Sequence, residues 1–179
     1  MIIMINGPFG VGKTTVSNEL LNELNNSMIF DPEEVGFMLR NIIPIDIKQL
    51  EAIAGDFQDL KMWKELTVIV AKLLVEKYKR HLIVPMTIRN VEYFQYIFEG
   101  FKRIDQDTFH FCLIAKEETI FKRLLDRGEK EGDWCFQQTK KCLQAYRDND
   151  FGVYINTENL SIETIVLEII QSLSNRCIQ

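Results

Sequence analysis

Apolar and polar positions along this chain follow two rhythms. Short continuous apolar runs at 2–6, 28–30, 82–86, 109–115 and 152–156 predict strands buried on both faces. Between them, apolar residues recur at helical spacing and predict helices over 13–25, 33–41, 57–80, 90–99, 117–127, 134–147 and 161–174. The longest helical pattern carries Phe57, Leu60, Trp63, Leu66, Val70, Leu74 and Tyr78, a stripe that reads as core or as the wall of a pocket. Strands alternating with helices predict an α/β fold with a parallel sheet covered on both faces. Ligands of such sheets lie beyond the carboxyl ends of the strands. The residues that follow each strand are therefore the ones to read for chemistry.

The first strand runs into GPFGVGKTT, residues 7–15, which fits G-x-x-x-x-G-K-[ST] with Gly7, Gly12, Lys13 and Thr14 in the fixed places. The glycines let the backbone turn so that N–H groups along Phe9, Gly10, Val11 and Thr15 face phosphate oxygens. Lys13 supplies a point charge to the outer phosphates, Thr14 a hydroxyl for Mg²⁺, and the helix start a favourable dipole. The motif needs a strand before it and a helix after it, and both are predicted here.

The second strand is followed by FDPEEVGFMLR. Asp31 there has two readings: proton acceptor or metal-holding carboxylate beside the γ-phosphate, and N-cap of a helix with Pro32 at its first position. The two are compatible, because a carboxylate has several lone pairs. Arg40 shares a helix face with Glu33 and reads as a clamp for an acceptor or as a cation placed for the helix dipole. The third strand ends in IVPMTIRN, where many phosphate-loop proteins have an aspartate for Mg²⁺. Thr87 and Arg89 are the candidate substrate contacts there, and the missing carboxylate moves the metal role toward Asp31.

After the fourth strand, Lys116, Arg123 and Arg127 form one helical stripe, opposite Ile120, Phe121, Leu124 and Leu125. It leads into GEKEGD, and residues 127–135 read as a small lid. Arg123 is expected to stack on adenine and Arg127 to reach the phosphates, against the plainer reading of an exposed basic face. After the fifth strand, Thr157 to Asn159 are expected to line the adenine pocket or to start the last helix. His81 and His110 read as packed or exposed rather than catalytic.

Bulk properties narrow the picture. A chain of 179 residues without repeats or linkers predicts one domain over 1–179. A formal charge of −5 argues against nucleic acid as a partner. No apolar stretch is long enough to span a bilayer, and the apolar start lacks a basic leader and runs straight into the phosphate loop, so a cytoplasmic location is expected. Cys112, Cys135, Cys142 and Cys177 form no C-x-x-C pair and read as reduced, mostly buried thiols. The absence of N-K-x-D argues against guanine recognition. Asp150-Phe151-Gly152 lacks the companion motifs of a protein kinase.

Taken together, MIIMINGPFGVGKT, FDPEEVGFMLR, DFQDLKMW, IVPMTI with EYF soon after, and NTENLS resemble the tunicamycin-resistance ATP-binding proteins over nearly the whole chain. The resemblance implies a three-layer P-loop fold of the nucleotide and shikimate kinase type. It has a five-stranded parallel sheet, helices on both faces and a small lid. It implies ATP and Mg²⁺ as cofactors, ATP phosphates at Gly7 to Thr15, a base or metal ligand at Asp31, and lid contacts at Arg123 and Arg127. Membrane association, described for some members, finds no segment here to explain it. Two activities fit. One is a kinase moving the ATP γ-phosphate to a hydroxyl of a sugar, nucleoside or antibiotic, with Lys13, Asp31 and Arg127 catalytic. The other is an ATP-dependent binder that sequesters its ligand intact. Both a monomer and a dimer are compatible with the sequence.

Overall fold

The computed structural model describes residues 1–176, so Cys177 lies outside the described residues. Strand β1 (Ile2–Asn6) is fully buried, with Ile2 and Met4 entering the core on one face and Ile3 and Ile5 on the other. It pairs in parallel with β3 (His81–Met86) on one side and β4 (Thr108–Ile114) on the other. Strands β2 (Ser27–Ile29) and β5 (Val153–Asn156) close the edges, giving the order β2-β3-β1-β4-β5. The chain reverses its direction of winding at β1, and the carboxyl end of that strand is the switch point where a ligand crevice forms.

One face of the sheet is covered by α2 (Pro32–Ile42), α4 (Met62–Tyr78) and α5 (Val91–Ile104), through Leu39, Trp63, Ala71, Ile97 and Phe101. The other is covered by α1 (Lys13–Glu23), α6 (Glu117–Asp126) and α8 (Ile162–Arg176), through Val16, Leu20, Ile120, Leu124 and Ile169. Helix α7 (Trp134–Asp148) gives Cys142 and Tyr146 to the first core and Phe136 and Leu143 to the second.

Four differences from the sequence reading matter. The pattern over 57–80 is not one helix. Asp56 caps a single 3₁₀ turn at Phe57–Asp59, accepting from Gln58 N at 3.0 Å, and Leu60 is extended before α4 begins. A short helix, α3 (Ile45–Glu51), was not expected, because none of its residues is buried and it carries no amphipathic signal. Helix α5 runs five residues beyond 99, ending at Ile104. Leu125, read with the apolar side of α6, is about half exposed.

Candidate functional site

The loop between β1 and α1 is shaped by its glycines. Gly12 has φ +109°, and a Cβ there would meet no atom within 4 Å. The centre of the loop is thus an open cradle that a side chain would fill. Gly7 is required for a different reason: a Cβ would lie 2.7 Å from the Leu113 carbonyl oxygen and 2.8 Å from Val11 Cγ1.

Asn6, buried at the end of β1, fixes where this loop begins. Its Oδ1 accepts from Gly7 N at 2.9 Å, Ile88 N at 2.8 Å and Tyr146 Oη at 3.1 Å, while its Nδ2 donates to the Ile88 carbonyl at 3.1 Å. One side chain therefore ties the phosphate loop to the loop after β3. Farther along, Thr139 Oγ1 donates to the Phe9 carbonyl at 3.2 Å and holds the loop's tip against α7.

Lys13 donates to the Pro8 carbonyl at 3.0 Å, lies over the Phe9 ring at 5.4 Å, and makes no salt bridge among the described residues. Burial pulls its pKa down to about 8, against the opposing pull of Glu33 and Asp31. A half-buried cation facing an open cradle is an arrangement suited to an anion.

The cradle opens into a cleft of about 880 Å³ lined by Gly10, Thr14, Thr15, Asp31, Arg127 and the walls Thr157, Leu160 and Ile162. The sequence reading placed phosphate and metal contacts along Gly7–Thr15 and at Asp31, a phosphate contact at Arg127, and adenine contacts at Thr157 to Asn159; of the last three only Thr157 lines this cleft, joined by Leu160 and Ile162. Arg123 also lines it, but with its guanidinium engaged: it donates to the carbonyls of Val11 at 3.3 Å and Thr157 at 3.0 Å, and to Thr157 Oγ1 at 3.1 Å. It braces the phosphate loop against the loop after β5, rather than standing free to stack. Where a strand-three carboxylate would point, the cleft is lined by Pro85 and Met86.

Asp31 caps α2, its Oδ1 accepting from Glu33 N at 2.9 Å, and still faces the cleft. Both readings of that residue are therefore geometrically available. The neighbouring Glu33 borders two cavities, the nucleotide cleft and a smaller one of about 110 Å³. Burial, and then the Asp31 charge, raise the Glu33 pKa above the usual carboxylate value. Its basicity is thereby increased where the two cavities meet.

The smaller cavity contains Arg40, Thr87 and Arg89, three of the four substrate residues expected from sequence; the fourth, Asp31, lines the larger cleft instead. Arg40 Nη2 donates to the Gly55 carbonyl at 2.6 Å and stacks over Phe57 at 5.0 Å. Arg89 pairs with Asp56 at 3.7 Å. The Thr87 hydroxyl is buried without a protein partner, a polar group left for a ligand to satisfy. Three contributors were missed in the sequence: Phe37 in the wall, Trp134, whose ring meets Phe9 edge-on at 5.2 Å, and the buried amide of Gln138, whereas Phe57, read as core or pocket wall, does stand in the wall. Glu33 was readable, since it lies seven residues before Arg40 on the same helix face, yet Asp31 masked it as the more obvious carboxylate.

The wall holding Phe57 depends on Gly36, where a Cβ would lie 2.3 Å from the Phe57 ring. The thiols are inert by comparison. Cys112, Cys135 and Cys142 are free and buried, and burial pushes Cys112 up to about 12 and Cys142 up to about 11. His110 is buried among Phe94, Phe98 and Phe151, with neither ring nitrogen hydrogen-bonded. No helix among the described residues is long and apolar enough to cross a membrane. No group of three or more His, Cys, Asp or Glu forms a protein-only metal site among them.

Residues 3–145 match the model of a family described as AAA domain. No curated protein sequence matches the chain. Among solved structures, the chain is similar to the tunicamycin resistance protein of Deinococcus radiodurans, at 30% identity and a TM-score of 0.77, over 96% of this chain and 94% of that one. A gluconokinase from Sinorhizobium meliloti aligns at 15% identity and a TM-score of 0.66, over 97% of this chain and 91% of the other. A shikimate kinase from Bacteroides thetaiotaomicron aligns at 16% identity and a TM-score of 0.65, over 97% and 98% respectively. The last two likenesses show the fold, a P-loop kinase-like α/β sheet.

Proposed function

Because the chain belongs to the AAA domain family and is related to a tunicamycin resistance protein along nearly its whole length, we propose that it is an ATP-dependent small-molecule kinase. The observation that carries this reading is Glu33, a carboxylate of raised pKa bordering both the phosphate-loop cleft and a second, amphipathic cavity. A protein that only held nucleotide would need no such junction.

In this reading Gly7 to Thr15 hold the donor phosphates, and Lys13 and Arg127 stabilise charge on the transferring phosphoryl group. The Thr14 hydroxyl, and Asp31 through water, are the groups that would hold Mg²⁺, which supplies charge neutralisation on the phosphates when bound. Thr87, Arg40 and Arg89 orient an acceptor hydroxyl, and Glu33 takes its proton. Asp31 then serves metal and helix start, leaving proton transfer to Glu33. The lid role of residues 127–135 belongs to the same proposal, with Trp134 at its end against the loop. The acceptor class is a hydroxylated sugar, nucleoside or antibiotic, tunicamycin being the first to try.

The test is incubation with Mg·ATP and tunicamycin, following ADP and the mass of the drug. Glu33→Gln should bind ATP normally and lose about 10²–10⁴-fold in kcat. Asp31→Asn keeps a side chain able to cap α2, so it should fold normally and need a higher Mg²⁺ concentration for half-maximal activity. A Glu33→Gln enzyme as fast as its parent would refute the assignment.

A second reading is favoured by Pro85 and Met86 where a metal carboxylate would sit: an ATP-dependent binder that releases its ligand unaltered. It predicts drug retention that needs ATP, with the drug recovered at its original mass. Recovery of phosphorylated drug excludes it.

A further inference from the structure

The acceptor cavity holds about 110 Å³, below the roughly 300–1,000 Å³ of small-molecule pockets, so an acceptor enters only if a wall moves. Most of the lining is pinned. The Thr87 carbonyl accepts from Gln58 Nε2 at 2.7 Å, Arg40 is bonded to Gly55, and Arg89 is paired with Asp56. Phe57 is packed against Gly36 and Trp63. Trp134 is different. It is 51% exposed at the start of α7, and its ring rests edge-on against Phe9.

Glu33 and Phe9 each line both the donor cleft and the acceptor cavity. Phe9 is the apolar member of that junction. Its carbonyl is anchored to α7 by Thr139, so the backbone there is tied down and the ring is the part free to turn. Two contacts hold the ring: the Lys13 ammonium over its face, 5.4 Å from the centroid, and Trp134 at 5.2 Å. Lys13 cannot serve both the ring and a phosphate in the cradle. A cation over an aromatic face at a partly exposed place is worth about two- to fivefold in an equilibrium. A phosphate that draws Lys13 away removes that restraint from Phe9, and so from the wall that Trp134 forms.

We infer that Phe9 is a positioning residue linking the two sites: with Lys13 over its ring it holds Trp134 across the acceptor cavity, and phosphate bound at Lys13 lets the ring pair swing outward. This rests on the donor and acceptor readings of the two cavities. Donor and acceptor then favour each other by about two- to fivefold, equally in both directions.

The test reads tryptophan emission during titration with Mg·ATP, inorganic triphosphate and adenosine. The chain has two tryptophans, and Trp63 is a constant background, buried with its Nε1 donating to the Pro32 carbonyl. Mg·ATP and triphosphate should shift the emission to the red, and adenosine should not. Trp134→Phe should remove the shift, which assigns it. Phe9→Leu, saturated with Mg·ATP as followed by calorimetry, should show no shift, and Phe9→Tyr, which keeps the ring, should restore it. Calorimetry with tunicamycin, with and without saturating Mg·ADP, should give the two- to fivefold coupling in the parent and none in Phe9→Leu. A shift that survives in Trp134→Phe, appears with adenosine alone, or persists in Phe9→Leu overturns the inference. So does a Phe9→Tyr protein that binds Mg·ATP without a shift. A shift that follows this pattern without drug binding or ADP formation upholds the link and refutes tunicamycin as acceptor. Phosphorylated drug with an emission unmoved by triphosphate does the reverse.

Discussion

Lys13→Met isolates what the phosphate loop costs the empty protein. The ammonium lies in the cleft with its pKa lowered from 10.5 to about 8 by burial, and with one carbonyl as its partner. At neutral pH the lysine is charged in both folded and unfolded chains, so the native state carries the full penalty of the shift. Two and a half units correspond to about 3 kcal/mol. The lysine is partly reached by solvent, which screens the charge, and methionine forfeits the bond to Pro8. A gain of about 1–2 kcal/mol is therefore expected for the unliganded variant. The sign follows from linkage. The unfolded chain binds more protons between pH 8 and 10.5, so parent stability rises across that window and the variant's advantage disappears by pH 10.5. With Mg·ATP the order reverses, because only the parent gains binding energy, about 2.7 kcal/mol at a hundredfold excess over Kd. Urea melts at pH 7 and pH 10.5, with and without nucleotide, give all four values. A variant less stable than the parent at pH 7 without ATP, or an advantage that does not change with pH, would refute the reasoning.

Three further outcomes are expected. Gly12→Ala should cost only the left-handed backbone penalty of about 1–2 kcal/mol, because its Cβ meets nothing, yet abolish ATP binding by calorimetry. Gly7→Ala, whose Cβ would strike Leu113 and Val11, should lose about 1–3 kcal/mol on packing alone, and thermal melts separate the pair. Burial lowers His110 to about 4, so the native state excludes a proton that the unfolded chain accepts below pH 6.5. About 3 kcal/mol of stability should drain away between pH 6.5 and 4, and His110→Leu should flatten that acid limb in urea titrations.

The central strands and the phosphate loop were legible because local signals agree there: buried apolar runs, turn glycines and a helix start reinforce one another. Helix α3 was not, since a helix with no buried residue leaves no periodic trace. The long pattern over 57–80 hid a break because Asp56 and Leu60 redirect the chain without disturbing the apolar spacing. In the site, residues just after strands come together because parallel sheets gather those positions at one end. Phe37, Trp134 and Gln138 escaped notice because they converge from two distant helices, α2 and α7, which only tertiary packing brings together. Arg123 shows the opposite limit. Its location was predictable from the helical stripe, but its use as a brace depends on where two distant carbonyls happen to lie.

Asn6 sets the mechanical character of the whole centre. Its bonds to Gly7, Ile88 and Tyr146 join the phosphate loop, the loop after β3 and helix α7 through one buried side chain. The spacing between the two loops is thus established as the chain folds, and the floor of the cleft is assembled before any ligand arrives.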